Sequence, residues 1–327
     1  ANKAPKNVEA GIKTLAMQTL DDELKAQQKY FDYAVELDPK QEVVDKFGLD
    51  TVKGSQFKQP YLEFSGACAG RGETPYAKLI TQLYGDRMYI ANATGCSSIW
   101  GNSSPSTPYT VDKKGRGPAW ANSLFEDNAE FGFGMYLAQK TLRGNVKDEV
   151  LALQAETSDA NVKAAIDEYL ATYDETLKNT EATEKLLAAI ANDSNAHAKE
   201  IIKNKDMAAK KSQWIFGGDG WSFDIGFGGL DHVLASGEDV NVFVFNTEVY
   251  SNTGGQSSKA TPIGAVAQFA AGGKAIKQKD LAGIAMSYGY VYVAQVAMGA
   301  NQNQLVKAIK GAESYHGPSL IIGYAPC

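Results

Sequence analysis

Short apolar runs alternate with longer mixed segments along much of this chain of 327 residues. The apolar runs predict strands at 88–93, 214–216, 241–246, 290–296 and 319–324. The mixed segments 75–84 and 303–312 predict helices, and Thr74 and Gly85 are expected to cap and end the first of them. Alternating strands and helices are typical of an α/β domain with a mostly parallel sheet flanked by helices.

A segment from about residue 145 to residue 211 differs from its surroundings. It is rich in Ala, Glu, Lys and Leu, low in Gly and free of Pro. Its apolar positions suit helices that pack on one another or on the domain. They include Leu151, Leu153, Val162, Ile166, Leu170, Leu177, Leu186, Leu187 and Ile190. We therefore expect a helical insertion here.

The two ends of the chain differ in apolar content. Residues 1–60 are polar and charged, with few apolar clusters, and are predicted to form a connecting arm that packs on a larger body. Residues 61–327 are predicted to form one α/β domain, which the helical insertion interrupts.

Composition excludes several classes of protein. A hydrophobic content of 44% and 32 glycines are typical of a globular α/β domain, not of a disordered or fibrous chain. The formal net charge of -6, without a basic stripe, argues against a nucleic-acid surface. No stretch of 18 apolar residues and no secretory signal is evident, so we expect a cytoplasmic protein without a membrane partner. Three widely separated cysteines do not form a disulfide framework.

The richest chemical pattern is Gly218-Asp219-Gly220, which closes the apolar run 214–216. A strand that ends in a glycine-rich turn and leads into a helix directs backbone N–H groups and the positive end of the helix dipole toward a phosphate. Asp219 adds a hard oxygen ligand of the kind that Mg²⁺ prefers. Taken alone, however, Gly-Asp-Gly also forms ordinary turns.

A second polar loop strengthens the interpretation. The strand at 241–246 is followed by Thr247-Glu-Val-Tyr-Ser-Asn252-Thr-Gly-Gly-Gln256, which is full of oxygen and amide groups. Both loops are predicted to lie at the carboxyl ends of parallel strands, where open α/β sheets bind ligands. The two loops together therefore predict a clamp for a diphosphate and a divalent metal.

These residues resemble the thiamine diphosphate motif of pyruvate:ferredoxin (flavodoxin) oxidoreductases. The resemblance extends to Phe64-Ser-Gly-Ala-Cys68-Ala-Gly, Ile90-Ala-Asn-Ala-Thr-Gly-Cys96, Gly117-Pro-Ala-Trp-Ala-Asn-Ser-Leu-Phe-Glu-Asp127 and Ala325-Pro326-Cys327. It covers roughly residues 50–327, except for the helical segment. It implies a thiamine diphosphate-binding fold, and a chain that is a fragment of a longer polypeptide and is inactive by itself.

The resemblance also implies a role for particular residues. Asp219, Thr247 and the Val249 carbonyl would bind Mg²⁺, and Asn252 would be catalytic because its amide could donate to developing oxyanion charge. The residues expected to bind the cofactor are Glu73, Cys96, Gly218, Asp219, Gly220, Trp221, Thr247, Glu248, Val249, Tyr250, Ser251 and Asn252.

The cysteines form the second expected site. The resemblance implies a [4Fe-4S] cluster held by four cysteines, and the corresponding positions here are Cys68, Arg71, Cys96 and Cys327. Arg71 cannot coordinate iron as a thiolate would, because its guanidinium stays charged. Four explanations are open: an altered or erroneous residue, a fourth ligand from outside the protein, a three-iron cluster, or loss of the cluster.

The implied reaction is oxidative decarboxylation of pyruvate, with transfer of acetyl to coenzyme A and of electrons to ferredoxin or flavodoxin. The remaining domains of the same enzyme and a homodimer are implied partners. Two alternatives are a non-oxidative thiamine-dependent decarboxylase or carboligase, and a cluster-free, non-catalytic cofactor-binding module. Arg71 favours the first of these alternatives, whereas the cysteines in matching contexts oppose it.

Overall fold

The computed structural model describes residues 19–103 and 106–327. The chain divides into two compact units, of which the first ends at Lys46 and the second comprises Phe47–Cys327. The second unit thus begins at Phe47, whereas the sequence suggested residue 61 as the start of the main domain. The arm at 1–60 stays a prediction, and its first 18 residues lie outside the described part of the chain.

Six strands of the second unit form one sheet, in which every neighbouring pair is parallel. Their order is β2-β1-β3-β4-β8-β7. A separate antiparallel pair joins β5 to β6. The strands are β1 (Met88–Asn92), β2 (Ala119–Asn122), β3 (Ser212–Gly218), β4 (Asn241–Asn246), β5 (Val249–Tyr250), β6 (Gln256–Ser257), β7 (Tyr292–Val296) and β8 (Ser319–Tyr324). The predicted α/β fold with a mostly parallel sheet is confirmed.

The helices fall before and between these strands. They are α1 (Leu20–Glu36), α2 (Gln41–Phe47), α3 (Glu73–Tyr84), α4 (Asn128–Glu156), α5 (Ala160–Ala171), α6 (Thr176–Ala189), α7 (Ala196–Lys203), α8 (Lys205–Ala208), α9 (Phe227–Ala235), α10 (Leu281–Met286) and α11 (Gln302–Ser314). Shorter helical turns lie at Gly54–Phe57, Gly85–Arg87, Cys96–Ser98, Ile99–Ser103 and Gly220–Ile225.

Successive side chains along each strand point to opposite faces of the sheet, so a hydrophobic core forms on each face. On β4, Phe243 and Phe245 face one cluster, which includes apolar residues of α3 and α11. Val242 and Val244 face the other cluster, which includes residues of α4, α9 and α10. All four side chains are fully buried, because helices cover both faces of the central strands.

The segment between β2 and β3 is almost entirely helical and has its own core. Helices α4 to α8 contribute its buried residues, among them Val150, Ile166, Leu186 and Ile201. Helix α4 starts at Asn128, well before the predicted start near residue 145, and its first turns pack on the sheet core through Ala129. The long helix therefore belongs to both cores, which the composition of the segment did not indicate.

The start of α3 was predicted wrongly. The helix begins at Glu73 instead of Pro75, and Gly72 precedes it without a side-chain cap. The Thr74 hydroxyl instead lies 2.9 Å from the Ser65 hydroxyl. Gly85 does follow the helix end, as expected, and a side chain at this position would lie 2.6 Å from the Tyr61 ring.

Within the described part of the chain, no helix combines the length and apolar character that crossing a bilayer requires.

Candidate functional site

A cavity of about 370 Å³ opens at the carboxyl ends of the central strands. Segments that follow β1, β2, β3 and β4 all contribute to its wall. Nine of the residues predicted to bind the cofactor line it: Glu73, Cys96, Gly218, Asp219, Gly220, Trp221, Tyr250, Ser251 and Asn252. This volume is within the usual range for a small-molecule site.

The cavity lies where the strand order reverses. From β1 the chain passes outward to β2 on one side, and it then returns to β3 on the other side of β1. The loops after β1 and β3 therefore diverge to opposite faces of the sheet and leave a crevice between them. Gly95 and Cys96 come from the first loop, and Gly218 and Asp219 come from the second.

Asp219 is the buried acid at the base of this crevice. Only 2% of its surface is exposed, and its Oδ1 accepts a hydrogen bond of 2.9 Å from the Thr247 hydroxyl. Its Oδ2 accepts a second bond, of 2.5 Å, from the Ser258 hydroxyl. Burial raises the pKa of Asp219 to about 6, although both hydroxyl groups oppose the shift by stabilising the carboxylate.

Three oxygens meet at this point. The Thr247 Oγ1 lies 2.9 Å from Asp219 Oδ1 and 3.0 Å from the Val249 carbonyl oxygen. Adjacent ligands of an octahedral Mg²⁺, each about 2.0–2.1 Å from the metal, are about 2.9 Å apart. The two separations thus fit neighbouring positions around one ion. A divalent metal would also offset the charge of the buried carboxylate.

The turn after β4 explains how Thr247 and Val249 present their oxygens to one point. Glu248 between them has a φ of 63°, a left-handed conformation that is uncommon for a residue with a side chain. Its carbonyl accepts a hydrogen bond of 2.5 Å from the Thr261 hydroxyl. The Glu248 backbone therefore shapes the site, but its side chain is not among those that line the cavity.

Trp221 forms one wall of the cavity. Its indole is 1% exposed, and a side-chain carbon at position 217 would lie 2.4 Å from the ring, so that glycine is needed there for close packing. The chain turns at Gly220–Ile225 in a short π-helical segment before α9 begins at Phe227. A helix therefore follows the glycine-rich turn, as the sequence predicted, after this intervening segment.

Asn252 and Cys96 face each other across the cavity. The Cys96 Sγ lies 3.8 Å from the Asn252 Oδ1, and Asn252 is exposed. Burial raises the pKa of Cys96, while the Ser251 hydroxyl and the Arg71 charge partly oppose the shift. The assigned catalytic role of Asn252 stays a prediction, although its position at the cavity mouth is compatible with contact to a substrate.

Arg71 is the centre of a buried polar network. Its guanidinium makes two bonds of 2.9 Å to the Glu73 carboxylate, one through Nε and one through Nη2. Nη2 also donates to the Ser251 hydroxyl at 2.6 Å, and Nη1 donates to the Cys327 Sγ at 3.3 Å. Glu73 accepts a further bond of 2.7 Å from the Trp100 indole N–H. Burial opposes the charge of Arg71, but the Glu73 carboxylate raises its pKa overall.

This arrangement does not fit an iron-sulfur cluster held by four thiolates. Cys68 and Cys327 are exposed, Cys96 is partly buried, and all three are free thiols. Over residues 19–103 and 106–327, no three His, Cys, Asp or Glu side chains converge as metal ligands would. Arg71 itself binds the Cys327 sulfur. The chain passes close by because Gly72 has no side chain: a carbon there would lie 3.0 Å from the Ala325 Cα.

Sequence reasoning missed two residues of the site. Ser258 binds Asp219 from a loop 39 positions away, and no spacing rule connects the two. Glu126 lines the cavity next to the helix α4 start, within a run whose resemblance was noted without a role for this residue. The strand that precedes Glu126, β2 at Ala119–Asn122, was not among the predicted strands, so the position of this carboxylate at a strand end was not evident.

Comparison with known proteins agrees with this geometry. Residues 195–322 match the family model of the thiamine pyrophosphate enzyme, C-terminal TPP binding domain. The chain is 57% identical over 317 residues to a pyruvate-flavodoxin oxidoreductase of Klebsiella pneumoniae, covering 96% of this chain and 27% of that protein. It is 56% identical over 326 residues to the pyruvate:ferredoxin oxidoreductase of Moorella thermoacetica, covering 97% and 28%.

A further relative differs in its named electron acceptor. The mitochondrial pyruvate dehydrogenase [NADP(+)] of Euglena gracilis is 52% identical over 304 residues, covering 92% of this chain and 17% of that protein. The chain therefore spans little more than a quarter, or less, of the length of these relatives.

Proposed function

We infer that this chain, a thiamine pyrophosphate-binding region of the pyruvate:ferredoxin (flavodoxin) oxidoreductase type, holds the diphosphate and Mg²⁺ of thiamine diphosphate at the cavity beside Asp219. One observation carries the proposal. The Thr247 hydroxyl lies 2.9 Å from the Asp219 carboxylate and 3.0 Å from the Val249 carbonyl, separations that suit neighbouring Mg²⁺ ligands, and Asp219 lines a cavity of suitable size.

In this proposal the residues of the chain bind Mg²⁺ and the cofactor and orient the substrate. Asp219 and Thr247 would hold Mg²⁺ with side-chain oxygens, and Gly218 and Gly220 would let the backbone approach the diphosphate. Trp221 and Tyr250 would exclude water from the cavity walls. When bound, thiamine diphosphate supplies the electron sink for cleavage of the bond between a keto carbon and a carboxylate. Asn252 would then lie near the substrate carbonyl and donate a hydrogen bond to it.

The activity of the whole protein is part of the same proposal. Pyruvate and coenzyme A would yield acetyl coenzyme A, carbon dioxide, one proton and two electrons, and ferredoxin or flavodoxin would accept the electrons. Partners of this region would be the remaining domains of the enzyme and a second copy in a homodimer, in the cytoplasm. The region alone would be inactive, because the resemblance places the carboxylate that activates the aminopyrimidine in another domain.

A [4Fe-4S] cluster is not included in the proposal, because Arg71 stands at one expected ligand position and binds a second, Cys327. This observation favours a second candidate function, non-oxidative decarboxylation. In that reaction pyruvate and one proton would yield acetaldehyde and carbon dioxide, and no electron acceptor would be required. Arg71 also fits the third candidate, a cluster-free module that binds the cofactor but does not catalyse the reaction.

The test uses the natural full-length protein that carries this chain, purified without oxygen. Carbon dioxide, acetyl coenzyme A and acetaldehyde are measured after addition of pyruvate, with and without coenzyme A and ferredoxin. Acetyl coenzyme A that depends on ferredoxin would support the oxidoreductase, whereas acetaldehyde alone would support the second candidate. Cofactor binding without any release of carbon dioxide would support the third candidate, a non-catalytic cofactor-binding module. Failure to bind thiamine diphosphate with Mg²⁺ would overturn the proposal.

An Arg71→Cys variant addresses the cluster in the same preparation. Iron and acid-labile sulfide are compared between this variant and the unaltered protein, so that any clusters in other domains contribute equally to both. A gain of about four irons per chain would mean that Arg71 excludes the cluster. An equal iron content, with a shared paramagnetic signal that is lost on Cys96→Ser substitution, would mean that the site holds a cluster despite Arg71.

A further inference from the structure

Glu126 is an acid in the cavity wall to which the proposed site assigns no role. It follows β2, two residues before α4, and lines the cavity together with Gly218 and Asp219. One of its carboxyl oxygens, Oε2, is buried and has no hydrogen-bond partner within the described part of the chain. Since buried polar groups are nearly always paired, an isolated carboxyl oxygen in a cavity wall indicates a partner that binds there.

The backbone holds Glu126 in an unusual conformation. Its φ is 59°, in the left-handed region that residues with a side chain seldom occupy. Its carbonyl oxygen also packs against Gly226, where a side-chain carbon would lie only 2.6 Å away. Strained backbone of this kind is retained mainly where the surrounding structure requires it, and such positions concentrate at functional sites.

The charges around Glu126 are all negative or neutral. The negative charge of Asp219, which follows β3, raises the pKa of Glu126. The negative charge of Glu126 in turn raises the pKa of the Tyr250 phenol in β5. Gly226, which packs against the Glu126 carbonyl oxygen, and Trp221 of the cavity wall carry no charge. The described residues that line the cavity include no Lys, Arg or His. Apart from the proposed Mg²⁺, no cation of the lining would then offset the repulsion between an ionised Glu126 carboxylate and a bound diphosphate.

We propose that Glu126 is a further cofactor-binding residue, whose carboxyl group in its protonated form donates a hydrogen bond to the diphosphate of thiamine diphosphate. The inference rests on the proposed function of this cavity. A protonated carboxyl group offers one O–H donor, whereas an ionised one can only accept. Hydrogen bonds to charged oxygens are among the stronger ones in proteins.

The electrostatics of the free protein favour this form. Burial, and next the charge of Asp219, raise the pKa of Glu126 to about 7. The group is therefore substantially protonated at neutral pH before any anion binds. A diphosphate oxygen that accepts this hydrogen bond would stabilise the protonated form and raise the pKa further, so that binding above pH 7 would take up a proton. The affinity for the cofactor should then fall as the pH rises through and above 7.

The experiment measures the affinity for thiamine diphosphate in excess Mg²⁺, by calorimetry on the natural full-length protein. Titrations at pH 6.5 to 8.5, in buffers of different ionisation enthalpy, count the protons taken up. Glu126→Gln keeps a neutral donor of nearly the same shape, and Glu126→Ala removes it. Glu130→Gln, at an exposed position of α4 outside the cavity wall, is the matched control.

The expected pattern distinguishes the variants. Glu126→Gln should bind the cofactor about as tightly as the unaltered protein at pH 6.5 and more tightly at pH 8.5, and its proton uptake should be smaller. Glu126→Ala should bind about tenfold or more weakly at pH 6.5. Glu130→Gln should match the unaltered protein throughout. A circular dichroism spectrum of each variant verifies that it is folded.

Three results would overturn the inference. In the first, Glu126→Gln weakens binding as much as Glu126→Ala, which would mean that an ionised carboxylate is required. In the second, both variants bind as the unaltered protein does. In the third, proton uptake is the same with and without Glu126. In all three the unaltered protein still binds the cofactor, so the proposed function stands; if the unaltered protein does not bind it, both fail.

Discussion

Two sets of predicted ligands, an oxygen half and a thiol half, differ in geometry, and Asp219 of the first and Cys96 of the second line the cavity. The oxygen half consists of Asp219, Thr247 and the Val249 carbonyl, whose separations of 2.9 and 3.0 Å suit one metal ion. The thiol half consists of Cys68, Cys96, Cys327 and Arg71, and there a guanidinium holds the Cys327 sulfur at 3.3 Å. Both halves lie in sequence contexts that resemble the same family. Only in the oxygen half does the spacing of the residues suit the ligand expected there.

This difference between the two halves shows that a chain can resemble a family in sequence without keeping the ligand geometry of each of that family's sites. Thr247 and Val249 directly follow a central strand, and the residues between and beyond them are held by further hydrogen bonds. The residues of the thiol half come from separate loops and from the segment after β8. The contacts that join these segments depend on one side chain, Arg71. At position 71 the resemblance implies a thiol ligand, whereas Arg71 is the centre of an ion-pair network there.

The largest effect is expected from breaking the Arg71 network. Arg71→Ala leaves Glu73, whose side chain is 2% exposed, without its counter-charge, and should lower the free energy of unfolding by about 3–5 kcal/mol. Chemical denaturation measures this. Arg116→Ala removes a more exposed ion pair with Glu184 and should cost about 1 kcal/mol or less. Equal costs for the two variants would show that the network is not a specific stabilising element.

The next effect concerns the centre of the oxygen half. Asp219→Asn keeps the shape of the side chain but removes the carboxylate charge, and should weaken binding of thiamine diphosphate with Mg²⁺ about a hundredfold or more. Calorimetry on the full-length protein measures the affinity. Asp206→Asn, at an exposed aspartate of α8, should leave it unchanged. Retained affinity in Asp219→Asn would place the metal elsewhere.

A smaller effect is expected at Thr247. Thr247→Val removes the hydroxyl that contacts Asp219, and should weaken Mg²⁺-dependent cofactor binding about tenfold. Thr247→Ser keeps the hydroxyl and should come within about threefold of the unaltered protein, a difference near the resolution of such comparisons. A Mg²⁺ titration at fixed cofactor concentration measures both. If serine and valine weakened binding equally, packing of the methyl group and not metal ligation would explain the loss.

A separate effect, on stability instead of affinity, is a pH-dependent change in the free energy of unfolding without metal or cofactor. The folded-state pKa of Glu126 is raised from its ordinary value of 4.5 to about 7. Between these values the folded state binds more protons than the unfolded state, so the free energy of unfolding falls as pH rises. Glu126→Gln should remove this contribution, and its stability relative to the unaltered protein should increase from pH 4.5 to pH 7. Thermal unfolding across this range measures the difference, and a constant difference would contradict the assignment.

Much of the sheet could be predicted from apolar runs. The strands at 241–246 and 319–324 have the predicted bounds, because both are buried on two faces and read as nearly continuous apolar segments. Helix starts were less predictable. Thr74 has the chemistry of a cap, but its hydroxyl pairs with Ser65, a contact that the local sequence does not reveal.

The order of the candidate groups along the chain is a property of the sequence alone: an aspartate proposed to bind metal after one apolar run, a polar loop after the next, and an arginine where the resemblance implies a cysteine. These are local properties, since each depends on residue types at short spacing. The resemblance they carry identified the type of site before any geometry was known.

Only the tertiary structure decided which of these groups meet. Ser258 reaches Asp219, Arg71 reaches Cys327 from 256 positions away, and Glu126 enters the cavity beside them. Such pairs arise because parallel strands bring distant loops to one edge of the sheet, and no spacing in the chain encodes that proximity. Burial then sets the chemistry of each group, raising the pKa of Asp219 and Glu126 and fixing Arg71 on Glu73.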